Sequence, residues 1–184
     1  MFREIERVLI DEARIAARVR EMGSQIAADL QADAQRTGRD EIILIPILTG
    51  SIVFVADLIR QMPLKLRLGV VAVSSYPGRS MQSKGAAIRG EIPPDLAGKH
   101  VLIVDDILDS GRTLGLVRRL VAEQKPASLR IAVLLRKQVD RAEEVEVEYA
   151  GFEIPDAFVV GYGLDFDGYY RNYPQIAALN GNGM

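Results

Sequence analysis

Apolar runs of strand length, separated by helix-patterned and turn-rich segments, constrain this chain more than any other feature. Glu41 to Leu48 reads EIILIPIL and His100 to Asp105 reads HVLIVD. Leu66 to Val73, Leu129 to Leu135 and Ala157 to Gly161 are further runs of this kind. A strand with one face in water alternates apolar and polar residues, whereas an unbroken run suits a strand covered on both faces, as in a parallel sheet. Between the runs, Ile15, Val19, Met22, Ile26 and Leu30 recur at three- and four-residue steps, with Gly38 just beyond. That spacing predicts an amphipathic helix closed by glycine. Ile52 to Gln61, stopped by Pro63, predicts a second helix, and Arg112 to Gln124, with Leu114, Val117, Leu120 and Val121 on one side, a third. Strands alternating with helices predict an α/β fold: a mostly parallel twisted sheet flanked by helices. With 184 residues the chain is expected to form a single domain over 1–184 with a sizeable core.

One connection is too long for this scheme. Ser74 to Gly98 is polar and rich in Gly, Ser and Pro, and long connections without structure of their own are often active-site lids. Composition narrows the function classes. There is no cysteine, which excludes a disulfide framework and any cysteine-ligated metal centre. Lys and Arg number 23 against 25 Asp and Glu, a net charge of −2 with no dense basic run. No nucleic-acid partner is expected from such a balance. No apolar stretch has the length of a membrane span or signal peptide, so no membrane partner and a cytoplasmic location are expected.

The chemistry concentrates in VLIVDDILDSGRTL, Val101 to Leu114. An apolar strand ends in Asp105 and Asp106; Asp109 follows, and Ser110-Gly111-Arg112-Thr113 leads into a helix. In doubly wound α/β proteins ligands bind beyond the carboxyl ends of the strands. Backbone N–H groups and hydroxyls of Ser110 to Thr113, at a helix N-terminus, suit a phosphate. Gly111 supplies the dihedral freedom that such a cradle needs. The acids would repel a phosphate but suit the cis hydroxyls of a ribose, or Mg2+ held partly through water. A phosphate cradle and diol-binding acids within ten residues describe a ribose 5-phosphate site.

This segment resembles the signature of the type I phosphoribosyltransferases that binds phosphoribosyl pyrophosphate (PRPP), and the resemblance spans roughly residues 5 to 175. It is closest to members that act on 6-oxopurines, joining hypoxanthine or guanine to ribose 5-phosphate with Mg2+. The resemblance implies a small hood built from the chain ends. Leu48-Thr49-Gly50 resembles the pyrophosphate loop, with a non-proline cis peptide at Leu48–Thr49. Ser75 and Tyr76, in the 74–98 stretch, resemble the pair on a mobile loop that closes over the reacting centre. Lys137 is implied as the donor to the exocyclic oxygen of the base. Phe158 would stack on the purine, and the backbone of Val159 would meet its edge. Asp105 and Asp106 would bind Mg2+ at the ribose hydroxyls, Asp165 would hold a second Mg2+ bound to pyrophosphate, and Arg171 would contact pyrophosphate. Asp109 is the candidate general base. A homodimer or homotetramer is implied as well.

Two departures stand out. Many members carry Glu-Asp at the place of Asp105-Asp106, and lysine is common at the place of Arg112. Two other classes remain open on the sequence: a PRPP-sensing regulator that binds nucleic acid, and a relative specific for another base. Lys137 with Phe158-Val159 disfavours adenine and uracil but not xanthine. His100 is expected to be structural or exposed. The aromatic cluster of Tyr162, Phe166, Tyr169, Tyr170 and Tyr173 suits either a hood or a subunit contact.

Overall fold

The computed structural model describes residues 4–74, 87–89 and 91–179. In chain order the elements are β1 (Ile5–Ile10), α1 (Glu12–Thr37), β2 (Ile42–Leu48), α2 (Ile52–Arg60), β3 (Arg67–Leu68), β4 (Val71–Ser74) and β5 (Ala87–Arg89). They continue with β6 (His100–Leu108), α3 (Arg112–Glu123), β7 (Ser128–Lys137), β8 (Tyr149–Ile154), β9 (Val159–Val160) and β10 (Ile176–Leu179). The main sheet runs β5-β4-β2-β6-β7-β8, with β3 also paired to β2. Its pairings are parallel except β4–β5. A second, antiparallel sheet joins β1, β10 and β9, so the two chain ends lie side by side.

The continuous apolar runs have the expected cause. On β2, Ile42 and Leu44 face a core shared with α1 and α2, while Ile43, Ile45 and Ile47 face a second core shared with α3. β6 divides in the same way, Leu102 and Val104 against Val101 and Ile103. Both strand faces are therefore dry, and period-two alternation has no reason to be visible. α1 follows its apolar spacing: Ile15, Val19, Met22, Ile26 and Leu30 are all buried. It starts at Asp11, whose carboxylate accepts the Arg14 N–H at 2.9 Å, and ends at Gly38 in the left-handed region (φ 67°).

Several elements differ from the sequence reading, among them β6, which runs on to Leu108, and the unread strands β1 and β10. Leu66 to Val73 is not one strand but two, β3 and β4, interrupted at Gly69, whose N–H turns to the Leu44 carbonyl at 2.9 Å. The strand read over Ala157 to Gly161 shrinks to Val159–Val160 and belongs to the small sheet. The edge strand β8 was not anticipated. The 74–98 stretch contains β5, paired to β4. His100 is structural: it is buried, with Thr37 Oγ1 3.0 Å and Ser128 Oγ 2.8 Å from its ring nitrogens.

Candidate active site

A cavity of about 990 Å3 opens at the carboxyl ends of β2 and β6 and is walled on its far side by residues 158–171. β6 carries Asp105 and Asp106 to its floor. The Asp106 N–H donates to Asp105 Oδ1 at 3.0 Å, and the Ile107 N–H to Asp106 Oδ1 at 3.0 Å. Burial raises the pKa of both carboxyls; for Asp105 the neighbouring Asp106 charge adds to the rise and takes it well above the usual carboxylate range. Beyond them Asp109, Ser110, Gly111 and Thr113 line the same cavity. Gly111 sits in the left-handed region (φ 79°) as the N-cap of α3, leaving the first N–H groups of the helix without side-chain caps.

β2 delivers the opposite lip. The Leu48–Thr49 peptide is cis, and Leu48, Thr49 and Gly50 line the cavity. The turn is tied down by Ser51, a buried residue whose hydroxyl donates to the Ile47 carbonyl at 2.6 Å. A Cβ at Gly50 would fall on the Asp106 carboxylate, so the two lips meet where glycine alone fits.

The third wall is a compact strap. The Asp165 carboxylate accepts Arg171 Nη2 at 2.7 Å and the Gly168 N–H at 2.8 Å. Arg171 Nη1 donates to the Gly163 carbonyl at 2.7 Å. Phe166 and Tyr169 bond each other's backbone across Asp167 (φ 50°) and Gly168 (φ 81°), a two-residue turn of the type that Asp-Gly favours. Phe158, 40% exposed, meets Phe166 edge to face with ring centres 5.5 Å apart.

Of the residues singled out from sequence, the cavity gathers Leu48, Thr49, Gly50, Asp105, Asp106, Asp109, Ser110, Gly111, Thr113, Phe158, Asp165 and Arg171. Three lie elsewhere. Arg112 is exposed on the first turn of α3, outside the cavity lining. Val159 is buried in the small sheet opposite Ala178. Lys137, at the end of β7, does not line the cavity but reaches toward it, with Nζ 3.0 Å from Asp109 Oδ2 and 3.4 Å from Asp156 Oδ1. Ser75 and Tyr76 lie outside the described residues. Sequence reasoning missed Asp167 and Gly168 as wall residues; the Asp-Gly pair between two aromatics was the available signal.

The donor set fits Mg2+. Burial makes both carboxyls costly to ionise, Asp105 the more so beside the Asp106 charge, and a divalent cation relieves that cost. Among the described residues there is no group of three or more His, Cys, Asp or Glu able to hold a metal by itself.

Residues 12–167 match the family model of the phosphoribosyl transferase domain. Over 177 residues the chain is 41% identical to a hypoxanthine-guanine phosphoribosyltransferase of Mycobacterium avium, covering 96% of this chain and 87% of that protein. Its fold superposes with a TM-score of 0.85 on the hypoxanthine-guanine phosphoribosyltransferase of Bacillus anthracis, at 36% identity, covering 96% and 100% of the two chains. A Trypanosoma cruzi hypoxanthine phosphoribosyl transferase, whose structure was used to study its C-terminal region, oligomeric state and activity, gives 0.87 at 33% identity, covering 100% of this chain and 95% of that one. The chain therefore belongs to the phosphoribosyltransferases, within their hypoxanthine(-guanine) group.

Proposed function

We propose that this chain salvages purines by transferring the 5-phosphoribosyl group of PRPP to hypoxanthine or guanine, giving IMP or GMP and pyrophosphate, with Mg2+ as cofactor. One observation carries the residue roles: the Asp105–Asp106 pair, Ser110, Gly111 and Thr113, Gly50, the Asp165–Arg171 pair and Phe158 all open on one cavity.

The 5-phosphate takes the backbone N–H groups of Ser110 to Thr113 and the favourable end of the α3 dipole. Asp105 and Asp106 accept from the ribose hydroxyls. Arg171 and the Leu48–Gly50 backbone hold the pyrophosphate, for which a guanidinium fork is well shaped. When bound, Mg2+ supplies charge neutralisation on the leaving pyrophosphate; Asp105 and Asp106 would hold one ion and Asp165 a second. The bond from C1 of the sugar to the pyrophosphate oxygen breaks, and its electron pair leaves with the oxygen. A purine nitrogen forms the new bond at C1, and Asp109 takes the N7 proton. Lys137 donates to the exocyclic oxygen of the base, which rewards a 6-oxopurine over adenine. Phe158 and Phe166 shape the base side of the cavity. A homodimer or homotetramer in the cytoplasm completes the reading; among the described residues no helix is long and apolar enough to cross a membrane.

The test is a spectrophotometric assay of PRPP with hypoxanthine, guanine, xanthine and adenine in parallel, with and without Mg2+. Nucleotide formation from hypoxanthine or guanine, lost on chelation, is the expected result. Turnover confined to adenine, or none of any base, would reject it.

A further inference from the structure

The pyrophosphate side of the cavity has two separate supports, and their spacing must be set by something. Gly50 belongs to the turn that leads into α2. Asp165 and Arg171 belong to the strap 161–173, more than a hundred residues later. The two meet at Gly163, where φ is 107° and a Cβ would strike the Gly50 carbonyl. The same Gly163 gives its carbonyl to Arg171 Nη1 at 2.7 Å and its N–H to the Arg171 carbonyl at 2.9 Å. Whatever fixes Gly163 against Gly50 also fixes Arg171 against the turn.

The neighbouring residue has the means. Tyr162 is 7% exposed and adopts φ 50°, an uncommon conformation for a bulky side chain. Its N–H donates to the Tyr173 carbonyl at 2.7 Å, and its hydroxyl donates to Asp57 Oδ2 at 2.7 Å. Asp57 lies on α2, two turns beyond the Gly50 turn, with its other oxygen 3.5 Å from Arg60 Nη1. A phenylalanine ring would fill the same buried space. The hydroxyl adds a directional bond to the helix that carries the turn.

We propose that Tyr162 and Asp57 are a positioning pair, which sets the distance between the Gly50 turn and Arg171 and so the grip on pyrophosphate. This rests on the reading of Gly50 and Arg171 as pyrophosphate contacts. Neither Tyr162 nor Asp57 touches the substrate; each acts through the backbone it holds.

Calorimetric titration of inorganic pyrophosphate with Mg2+, and separately of IMP, tests it on wild type, Tyr162→Phe, Asp57→Ala, Asp57→Asn and the double variant Y162F/D57A. A part-buried hydrogen bond to a charged acceptor is worth up to about tenfold in an equilibrium constant, felt in affinity only where the bond sets the grip on the ligand. Pyrophosphate binding should therefore weaken by up to about tenfold in Y162F and in D57A, and no further in the double variant. D57N keeps an acceptor oxygen and should bind pyrophosphate as the wild type does. IMP occupies the phosphate cradle and base side, so its affinity should hold in every variant, which also reports that each is folded. Variants that bind pyrophosphate normally, or lose pyrophosphate and IMP alike, overturn the proposal. A wild-type protein that binds IMP but no pyrophosphate would instead refute the underlying reading of Gly50 and Arg171, and the proposal with it.

Discussion

Lys137 and Asp109 hold each other at 3.0 Å across the gap between β7 and the signature loop, with Asp156 as a second partner for the lysine. A base entering the cavity must compete for both ends of that pair, Lys137 with its carbonyl and Asp109 with its N–H. Asp109→Asn keeps the shape and removes the proton acceptor. Turnover should fall roughly 10²- to 10⁴-fold, the range for loss of a general base, while KM for PRPP changes little, because the proposed PRPP contacts lie on other residues. Steady-state kinetics with PRPP varied at saturating hypoxanthine measures both, and an unchanged kcat would reject the role. At this scale the sequence was legible where chemistry lies in consecutive residues, as in Asp105 to Thr113. It was illegible where partners are far apart in the chain: nothing in the sequence joins Tyr162 to Asp57, 105 positions away. Lys137 was placed by its position past a strand end, yet its distance from the cavity lining depends on how β7 packs.

Among the elements, α1 and α2 cross where Gly23 faces the end of α2. Alanine in a helix interior is normally favoured over glycine by roughly 0.8–1.0 kcal/mol. Here a Cβ at Gly23 would lie 2.5 Å from the Gln61 Cβ and 3.2 Å from its carbonyl oxygen. Backbone cannot swing aside as a side-chain tip can, and overpacking costs about 1–3 kcal/mol. Gly23→Ala should therefore lower the urea midpoint despite its helix propensity; a raised midpoint would show that the helices can part. α1 is also bonded to the sheet through charge. Asp33, 5% exposed, meets Arg130 Nη2 at 2.7 Å and Arg36 Nη2 at 2.9 Å. Arg130 in turn donates to the Tyr149 hydroxyl at 2.7 Å, and that hydroxyl donates to Asp29 at 2.7 Å. Burial pushes the Tyr149 phenol up to about 12, with the bond to Asp29 adding to it. Burial alone would raise the Asp33 carboxyl, but Arg36 and Arg130 outweigh it and hold the pKa below the usual value. A depressed pKa gives stability that is present above the ordinary carboxylate pKa near 3.9 and lost as pH falls through the folded value. Asp33→Asn should cost about 1–3 kcal/mol at pH 7, because Arg130 loses the nearer of its two carboxylates and keeps only Asp29, 3.4 Å away. The gap from wild type should narrow in urea melts taken below pH 4. The element pattern was legible wherever strands are buried on both faces. β8 escaped because YAGFEI mixes a glycine and a glutamate into a half-covered edge strand, which has no continuous apolar run to detect.

At the scale of the whole molecule, the parallel sheet supplies the floor of the cavity, and the strap between β9 and β10 supplies a wall. The small sheet that binds β1 to β10 joins the chain ends, a pairing that local patterns do not reveal because its strands are short and separated by most of the sequence. A ligand that reaches from Asp105 to Arg171 touches both parts and should stabilise the protein as one unit, by about 2.7 kcal/mol when present at a hundred times its Kd. The pH dependence of that stabilisation follows from the Asp pair. Without ligand, burial and, for Asp105, the adjacent Asp106 charge raise both carboxyl pKa values. A raised pKa contributes stability that is fully present below the ordinary carboxylate value and lost as pH rises through the folded one. In the proposed binding mode Mg2+ with PRPP would reverse the preference, since the ionised carboxylates would then face a cation and hydroxyl donors. The thermal shift produced by Mg2+ and PRPP at fixed concentration should therefore be larger at pH 8 than at pH 5.5. Phosphate groups of PRPP also ionise near pH 6, so the comparison needs Asp105→Asn, in which the titrations of the ligand and of Asp106 remain and that of Asp105 is gone. A difference between the two pH values that is as large in Asp105→Asn as in wild type would show that Asp105 does not titrate with binding. A clearly smaller one would place the proton release at the floor of the cavity.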